Sequence, residues 1–467
     1  MALVKNGTLR LDIKNGLIFW ILVFISVISI IVILLSETPK GYELLFILPT
    51  SYIVFLFASL YSWNKIPENI GITVLYFLIF FRMVIAPALK ALGGYPEEFR
   101  INTDENEYKA ILLMVYELFA IWGVLKIEPK QKQEKRVKEL SGKRLKKVLL
   151  IFTAVVIFFC IVAPEIPQNY RTIFGVSKEA AFTSVEQSDI IDAYATSSIK
   201  KFLLVTCNYL IIIARLFIPG ALIVLLSYKK TTFRKILSII LILSEFFMVD
   251  GAIARTIIYV LILMLLYFKL YNINIRKVYS ILLIGVVFVI FYFISRFAFK
   301  HGMTAMYYYG KIANTYFSGD NVVSGGFNIV STIGEKIGFL INIIISSIPF
   351  QNTIFNMNLL SISKAFNSVN FVKGQIIPTI SISYNIFGWI LSPILSIIAC
   401  YYCKKFGEKA SNEKNPIRFL CYTSIAILSA MSIVMYNVNI VLGWIIQIPV
   451  PILLMNLLIE KKNEQEN

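Results

Sequence analysis

Long apolar runs alternate with short polar stretches over most of the chain. Twelve of these runs approach the roughly 20 residues a helix needs to cross a bilayer. They fall at about 17–35, 44–63, 70–89, 110–125, 148–163, 202–227, 236–250, 256–268, 278–295, 385–403, 419–435 and 441–459. The pattern predicts an all-α, polytopic membrane helical bundle of about twelve transmembrane helices, with residues 1–467 forming one integral membrane domain. The first run lacks a small-residue cleavage site and reads as an uncleaved span. No internal repeat and no inverted half-repeat is visible.

Most connections are short, and the exceptions are informative. Residues 126–147 (KIEPKQKQEKRVKELSGKRLKK) form a basic loop, and 90–109 form an acidic one. Residues 164–201 make a longer connection, and 297–384 are expected to form one long outer loop. Within that loop, 337–350 (IGFLINIIISSIPF) is apolar but too short to span, so it is expected to lie in the interface or to re-enter the bundle.

Composition agrees with this pattern. The chain is 58% apolar and 15% charged, with a mean hydropathy of +0.75. Soluble domains run at about 45–50% apolar and 25% charged, so a soluble multidomain enzyme, a disordered chain and a disulfide scaffold are excluded. The net charge is +18, and its placement decides what it means. About 28 of the 45 Lys and Arg residues fall in the tails and even-numbered connections, and about 14 in the odd-numbered ones. Because the even side is also shorter, its basic density is roughly fourfold higher. The positive-inside rule then puts both termini and the even connections in the cytoplasm. The charge reports topology and attraction to the anionic lipid bilayer, and no nucleic-acid partner is required.

Five cysteines (Cys160, Cys207, Cys400, Cys403 and Cys421) lie in or beside spans. No second Cys pair or His cluster completes a metal site, so they read as helix-packing residues, and no metal or cofactor is expected. Walker, Gly-x-Gly-x-x-Gly, His-Glu-x-x-His and Gly-x-Ser-x-Gly signatures are all missing. Without a nucleotide site, an activated donor would arrive on a lipid.

A charge near the bilayer centre costs at least roughly 2.5–3.5 kcal/mol, so each one is a candidate site. Here they are Arg82, Glu117, Arg215, Glu245, Asp250, Arg255 and Arg296. Snorkelling to the interface accounts for Arg255 and Arg296 but less well for the deeper Arg82, Arg215 and Glu117. A cationic cavity open to the outer face explains the set together. It would suit a phosphate-bearing ligand, because guanidinium grips phosphate oxygens in pairs. His301, the one histidine of the chain, closely follows Arg296 and is either a general acid or base or a loop residue without a role.

Three stretches resemble a known family. They are 244–268 (SEFFMVDGAIARTIIYVLILMLLYF), 315–326 (TYFSGDNVVSGG) and 374–397 (GQIIPTISISYNIFGWILSPILSI). With the overall layout, they resemble the O-antigen and capsular polysaccharide polymerases of the Wzy type, the oligosaccharide repeat unit polymerases. The first stretch carries the family's Gly-x-Arg-like turn in a longer form, Gly251-Ala252-Ile253-Ala254-Arg255. The resemblance implies a metal-independent glycosyltransferase of a bacterial plasma membrane. It would move a growing glycan from undecaprenyl pyrophosphate onto a new lipid-linked repeat unit at the outer face, in O-antigen or capsule biosynthesis. A chain-length regulator and a flippase would be its partners. On this reading Arg255, Arg215, Arg82 and Arg296 hold the donor pyrophosphate and Asn321 orients a sugar hydroxyl. His301, Asp320 and Asp250 are the candidate bases, with Asp250 also placed to pair with Arg255 across the turn. Two other readings stay open: a flippase for the same lipid-linked units, against which the long loop counts, and a glycan ligase using the same donor.

Overall fold

The computed structural model describes residues 13–60, 68–96, 103–127, 140–173, 187–249, 253–273, 305–348, 360–372 and 374–460. In order, the helices are α1 (Ile13–Leu35), α2 (Ile47–Ala58), α3 (Ile70–Leu92), α4 (Asp104–Lys126), α5 (Gly142–Val162), α6 (Gln187–Tyr194), α7 (Ser198–Ser227), α8 (Thr232–Leu243) and α9 (Ile253–Leu270). They are followed by α10 (Ala305–Tyr316), α11 (Asp320–Ser324), α12 (Ile333–Ile345), α13 (Ile362–Val369), α14 (Thr379–Phe387), α15 (Ile394–Asn412), α16 (Pro416–Val434), α17 (Val438–Gln447) and α18 (Pro449–Ile459). No named strand occurs among the described residues.

Capping residues set the helix starts, often several residues ahead of the apolar runs. The side chains of Thr103, Ser141 and Ser197 each accept a backbone N–H from the first turn of α4, α5 and α7. The polar first turns that follow belong to the helices although hydropathy assigns them to loops. Acidic Asp104, Glu105 and Glu107 also suit the positive end of the α4 dipole.

Seven helices among the described residues are long and apolar enough to cross a membrane. They are Gly16–Leu35, Ile70–Leu92, Asp104–Lys126, Gly142–Val162, Ser198–Ser227, Pro416–Val434 and the broken Val438–Ile459. The expected count of about twelve is not confirmed among the described residues. The run at 44–63 yields only the 12-residue α2. That at 236–250 divides into α8 and a 3₁₀ turn, Ser244–Phe247. The run at 385–403 is broken where Gly388 takes a φ of 78° and the chain turns as far as Pro393 before α15 starts. The expected span 278–295 lies outside the described residues, as do Asp250, Arg296 and His301.

The segment read as one long loop, 297–384, is in its described parts a set of helices, α10 to α14, packed on the bundle. Phe339 and Ile343 of α12 join Val322, Ile362, Phe366, Ile377 and Ile382 in a small core of their own. Ile333, Ile337, Ile341 and Ile344 face outward from the same helix. At 13 residues α12 is about 20 Å long, so it cannot cross the bilayer.

Hydrogen bonds sort the connections into two groups. At one end, Asn69 donates to the Lys404 carbonyl (2.9 Å), Lys269 to the Glu413 carbonyl (2.6 Å) and Asn415 to Asn456 (3.2 Å), while Leu140 pairs with Glu460. At the other end, Ser36 meets Tyr95 (2.7 Å), Asn106 donates to Asn328 (3.1 Å) and Arg171 pairs with Val249.

Two backbone approaches fix α15. A Cβ on Gly71 of α3 would lie 2.5 Å from the Cys403 carbonyl oxygen, so only glycine permits this contact. Along α4, which runs parallel to α15, the contacts repeat at every fourth residue. Ser396 donates to Glu117, Cys400 to the Ile121 carbonyl (4.0 Å) and Lys404 to the Leu125 carbonyl (2.8 Å), always 279 positions apart.

Candidate functional site

The deepest charges sit on α3 and α4. Pro87 has no N–H to give to the preceding turn, and its ring crowds a carbonyl there. The helix absorbs this with a π turn at Phe81–Ile85, closed by the Ala86 N–H on the Phe81 carbonyl. Such turns recur at functional sites. Arg82 lies in this turn, buried. Its Nη1 is 2.7 Å from Glu117 Oε2 and 3.3 Å from the Ile433 carbonyl, and its Nε donates to the Ser318 carbonyl at 2.9 Å. The second Glu117 oxygen accepts from the Ser396 hydroxyl. One guanidinium thereby ties together α3, α4, α16 and the turn before α11.

A second layer lies two helical turns along. Lys90 is fully buried, with its ammonium 2.5 Å from Asp320 Oδ2 and 3.9 Å from the centre of the Tyr42 ring. Glu107 accepts from Asn321 Nδ2 (2.9 Å) and from the Ser324 hydroxyl (2.7 Å), and Asn321 also reaches the Tyr42 hydroxyl (3.3 Å). At the rim, the Tyr108 hydroxyl donates to Glu43 and holds that carboxyl below the usual range. These contacts seat α11, in the middle of the 315–326 stretch, against α3 and α4, with Asp320 and Asn321 almost completely buried.

The third group lies across α16, between α7, α9 and α17. Arg215 Nε is 3.1 Å from Glu245 Oε2, its Nη2 donates to the Thr256 hydroxyl at 2.8 Å, and its guanidinium is 5.1 Å from the centre of the Tyr259 ring. Arg255, one residue before Thr256 and only partly buried, has its guanidinium 5.0 Å from the centre of the Trp444 ring. Arg255, Tyr259 and Trp444 line a small cleft of about 10 Å³, room for one water-sized group, with Leu216, Ile258 and Ile448 among its apolar walls and Ser424 and Leu428 beside them. The surface open in this cleft is apolar, so the guanidinium could grip an anionic group, and the indole a ring, only once the cleft widens.

The structure therefore divides the expected site residues. Arg255 borders the cleft, and Arg215 stands behind it, joined through Thr256 and Tyr259. Arg82 does not share this cleft, because its guanidinium is taken up by Glu117 and two carbonyls on the far side of α16. Of the three arginines expected to line one cavity, Arg255 alone borders this cleft, with Arg215 behind it and Arg82 apart from it. Asp320 and Asn321 face α3 and α4, so Asp320 neutralises Lys90 where a base was expected, and Asn321 is a donor to Glu107. Asp250, Arg296 and His301 lie outside the described residues. Lys90, Glu107, Thr256, Tyr259 and Trp444 were not foreseen. No group of three or more His, Cys, Asp or Glu side chains able to hold a metal ion occurs among the described residues.

Among the described residues, fold and site together define a helical membrane protein with two layers of buried charge on α3 and α4 and a small cleft bordered by Arg255 and aromatic rings. Comparison with protein-family models, with curated proteins and with solved structures finds no match.

Proposed function

We propose that the chain is a lipid-linked repeat-unit polymerase, a metal-independent glycosyltransferase working at the outer face of a bacterial plasma membrane. The observation that carries this reading is the pairing of Arg255 with Trp444 in one cleft. Arg255 binds the pyrophosphate of an undecaprenyl-linked donor, and Trp444 packs on a sugar ring. Arg215, neutralised by Glu245 and bonded to Thr256, fixes the wall behind Arg255. As the glycan leaves its carrier, negative charge grows on the pyrophosphate, and a fixed cation in a low-dielectric cleft stabilises that change. The base that takes the acceptor hydroxyl proton is His301. The acceptor is a second lipid-linked unit, and a chain-length regulator and a flippase act beside the enzyme.

Gene deletion followed by gel analysis of surface polysaccharide tests this reading. The expected result is a product of one repeat with export intact. Accumulation of cytoplasm-facing lipid-linked units would identify a flippase, the reading that a mid-bundle ion pair such as Arg82–Glu117 also suits. Orientation has its own check. Both termini face the cytoplasm on this proposal, and Val330, 94% exposed beside α12, faces out. A Val330→Cys variant in intact cells is expected to react with a membrane-impermeant maleimide; reaction only after lysis would reverse the topology.

A further inference from the structure

Two of the five cysteines stand apart from the rest. Cys160 lies in the last turn of α5, half-buried, and Cys207 lies on the facing side of α7, fully buried. Cys160 packs against the apolar cluster to which Cys207 belongs. Cys207 Sγ also points at the Ala163 carbonyl, 3.8 Å away, just past the end of α5. Both belong to a small apolar cluster with Ala163, Ile166, Leu204 and Ile211 that joins the ends of the two helices. Beyond it, Lys200 and Glu165 close the same junction with an ion pair of 2.7 Å. Cys400, Cys403 and Cys421, by contrast, are all fully buried on α15 and α16.

We propose that Cys160 and Cys207 are a disulfide-forming pair that staples α5 to α7. Their side chains share one apolar cluster at the facing ends of the two helices, so closure asks the sulfurs to come together into a bond of about 2.05 Å. The reaction is thiol–disulfide exchange with a disulfide-bearing oxidant. The partly exposed Cys160 loses its proton, and its thiolate attacks one sulfur of the oxidant's disulfide and releases the other as a thiol. Cys207, deprotonated in turn, attacks the Cys160 sulfur and expels the second oxidant thiol. Two protein thiols are oxidised and one disulfide of the oxidant is reduced to two thiols. Arg215 lies two helical turns beyond Cys207 on α7, so the staple fixes the helix that backs the cleft.

The test uses the full chain in lipid nanodiscs, which expose both faces and so make the result independent of orientation and of the proposed activity. The protein is reduced, treated with oxidised glutathione, alkylated and digested without reductant. The expected result is a Cys160–Cys207 linked peptide, three alkylated cysteines at 400, 403 and 421, and a melting temperature several degrees higher that returns to the starting value with dithiothreitol. A Cys207→Ser variant is expected to retain glutathione on Cys160. In the wild-type chain, five alkylated cysteines, or glutathione on Cys160 with no linked peptide, would overturn the proposal.

Discussion

Replacing Glu117 with alanine is expected to destabilise the folded protein by about 3–5 kcal/mol, the usual cost of stranding a buried charge. Arg82 would keep its two carbonyl acceptors, at Ser318 and Ile433, but would lose its only carboxylate. Ser396 would lose its acceptor as well. The pair is almost completely buried, so solvent cannot take over Glu117's role. Glu117→Gln should fall between, because the amide oxygen still accepts from Arg82 or Ser396 but carries no charge. The double variant Arg82→Met, Glu117→Leu removes both charges and should recover most of the loss, since an apolar replacement of similar volume is often neutral. Thermal unfolding in detergent checks the series. A Glu117→Ala protein that melts with the wild type would show that the pair is not the buried tie described here.

Replacing Arg255 with alanine is expected to lower glycan transfer about 10²–10³-fold, the range seen when a preorganised electrostatic donor is removed. Arg255 is partly exposed and stacks near one indole, so its loss should leave the melting temperature almost unchanged. Arg255→Lys keeps the charge but loses the two-pronged geometry, and it should fall between alanine and wild type. The measurement is polymer length at equal protein level, followed by transfer with purified lipid-linked substrate. Full-length polymer from Arg255→Ala would remove Arg255 from the site. A fall in melting temperature matching the loss of activity would make its role structural.

Parts of this arrangement were legible in the sequence, and the failures have physical causes. Runs such as 70–89 and 419–435 were found because a continuous helical stretch carries the whole apolar run, the π turn at Phe81–Ile85 in the first included. The run at 385–403 misled because hydropathy does not register the positive φ of Gly388 or the break before Ile394. Arg82, Glu117, Arg215 and Glu245 stood out as charges in apolar surroundings, and each proved to be buried. Their pairing was less accessible, since Arg82 and Glu117 are 35 positions apart and Ser396 lies 279 beyond Glu117. Lys90 and Glu107 were missed because they sit in a polar stretch that reads as solvated. Lys90 finds its carboxylate 230 positions away, at Asp320, a separation no sequence spacing marks. Trp444 gave no signal, because an aromatic residue in an apolar run is indistinguishable from core.

The four-residue repeat of contacts between α4 and α15 limits how this protein can move. The two helices point the same way, and Glu117, Ile121 and Leu125 each receive a donor from α15. A slide of less than one helical pitch, about 5.4 Å, would break all three links at once and make none in return. With Gly71 of α3 locked against Cys403, these helices act as a stator. If the cleft takes the lipid-borne glycan proposed above, the stroke that admits it must then come from the opposite bank, where α9 and α17 meet through Arg255 and Trp444.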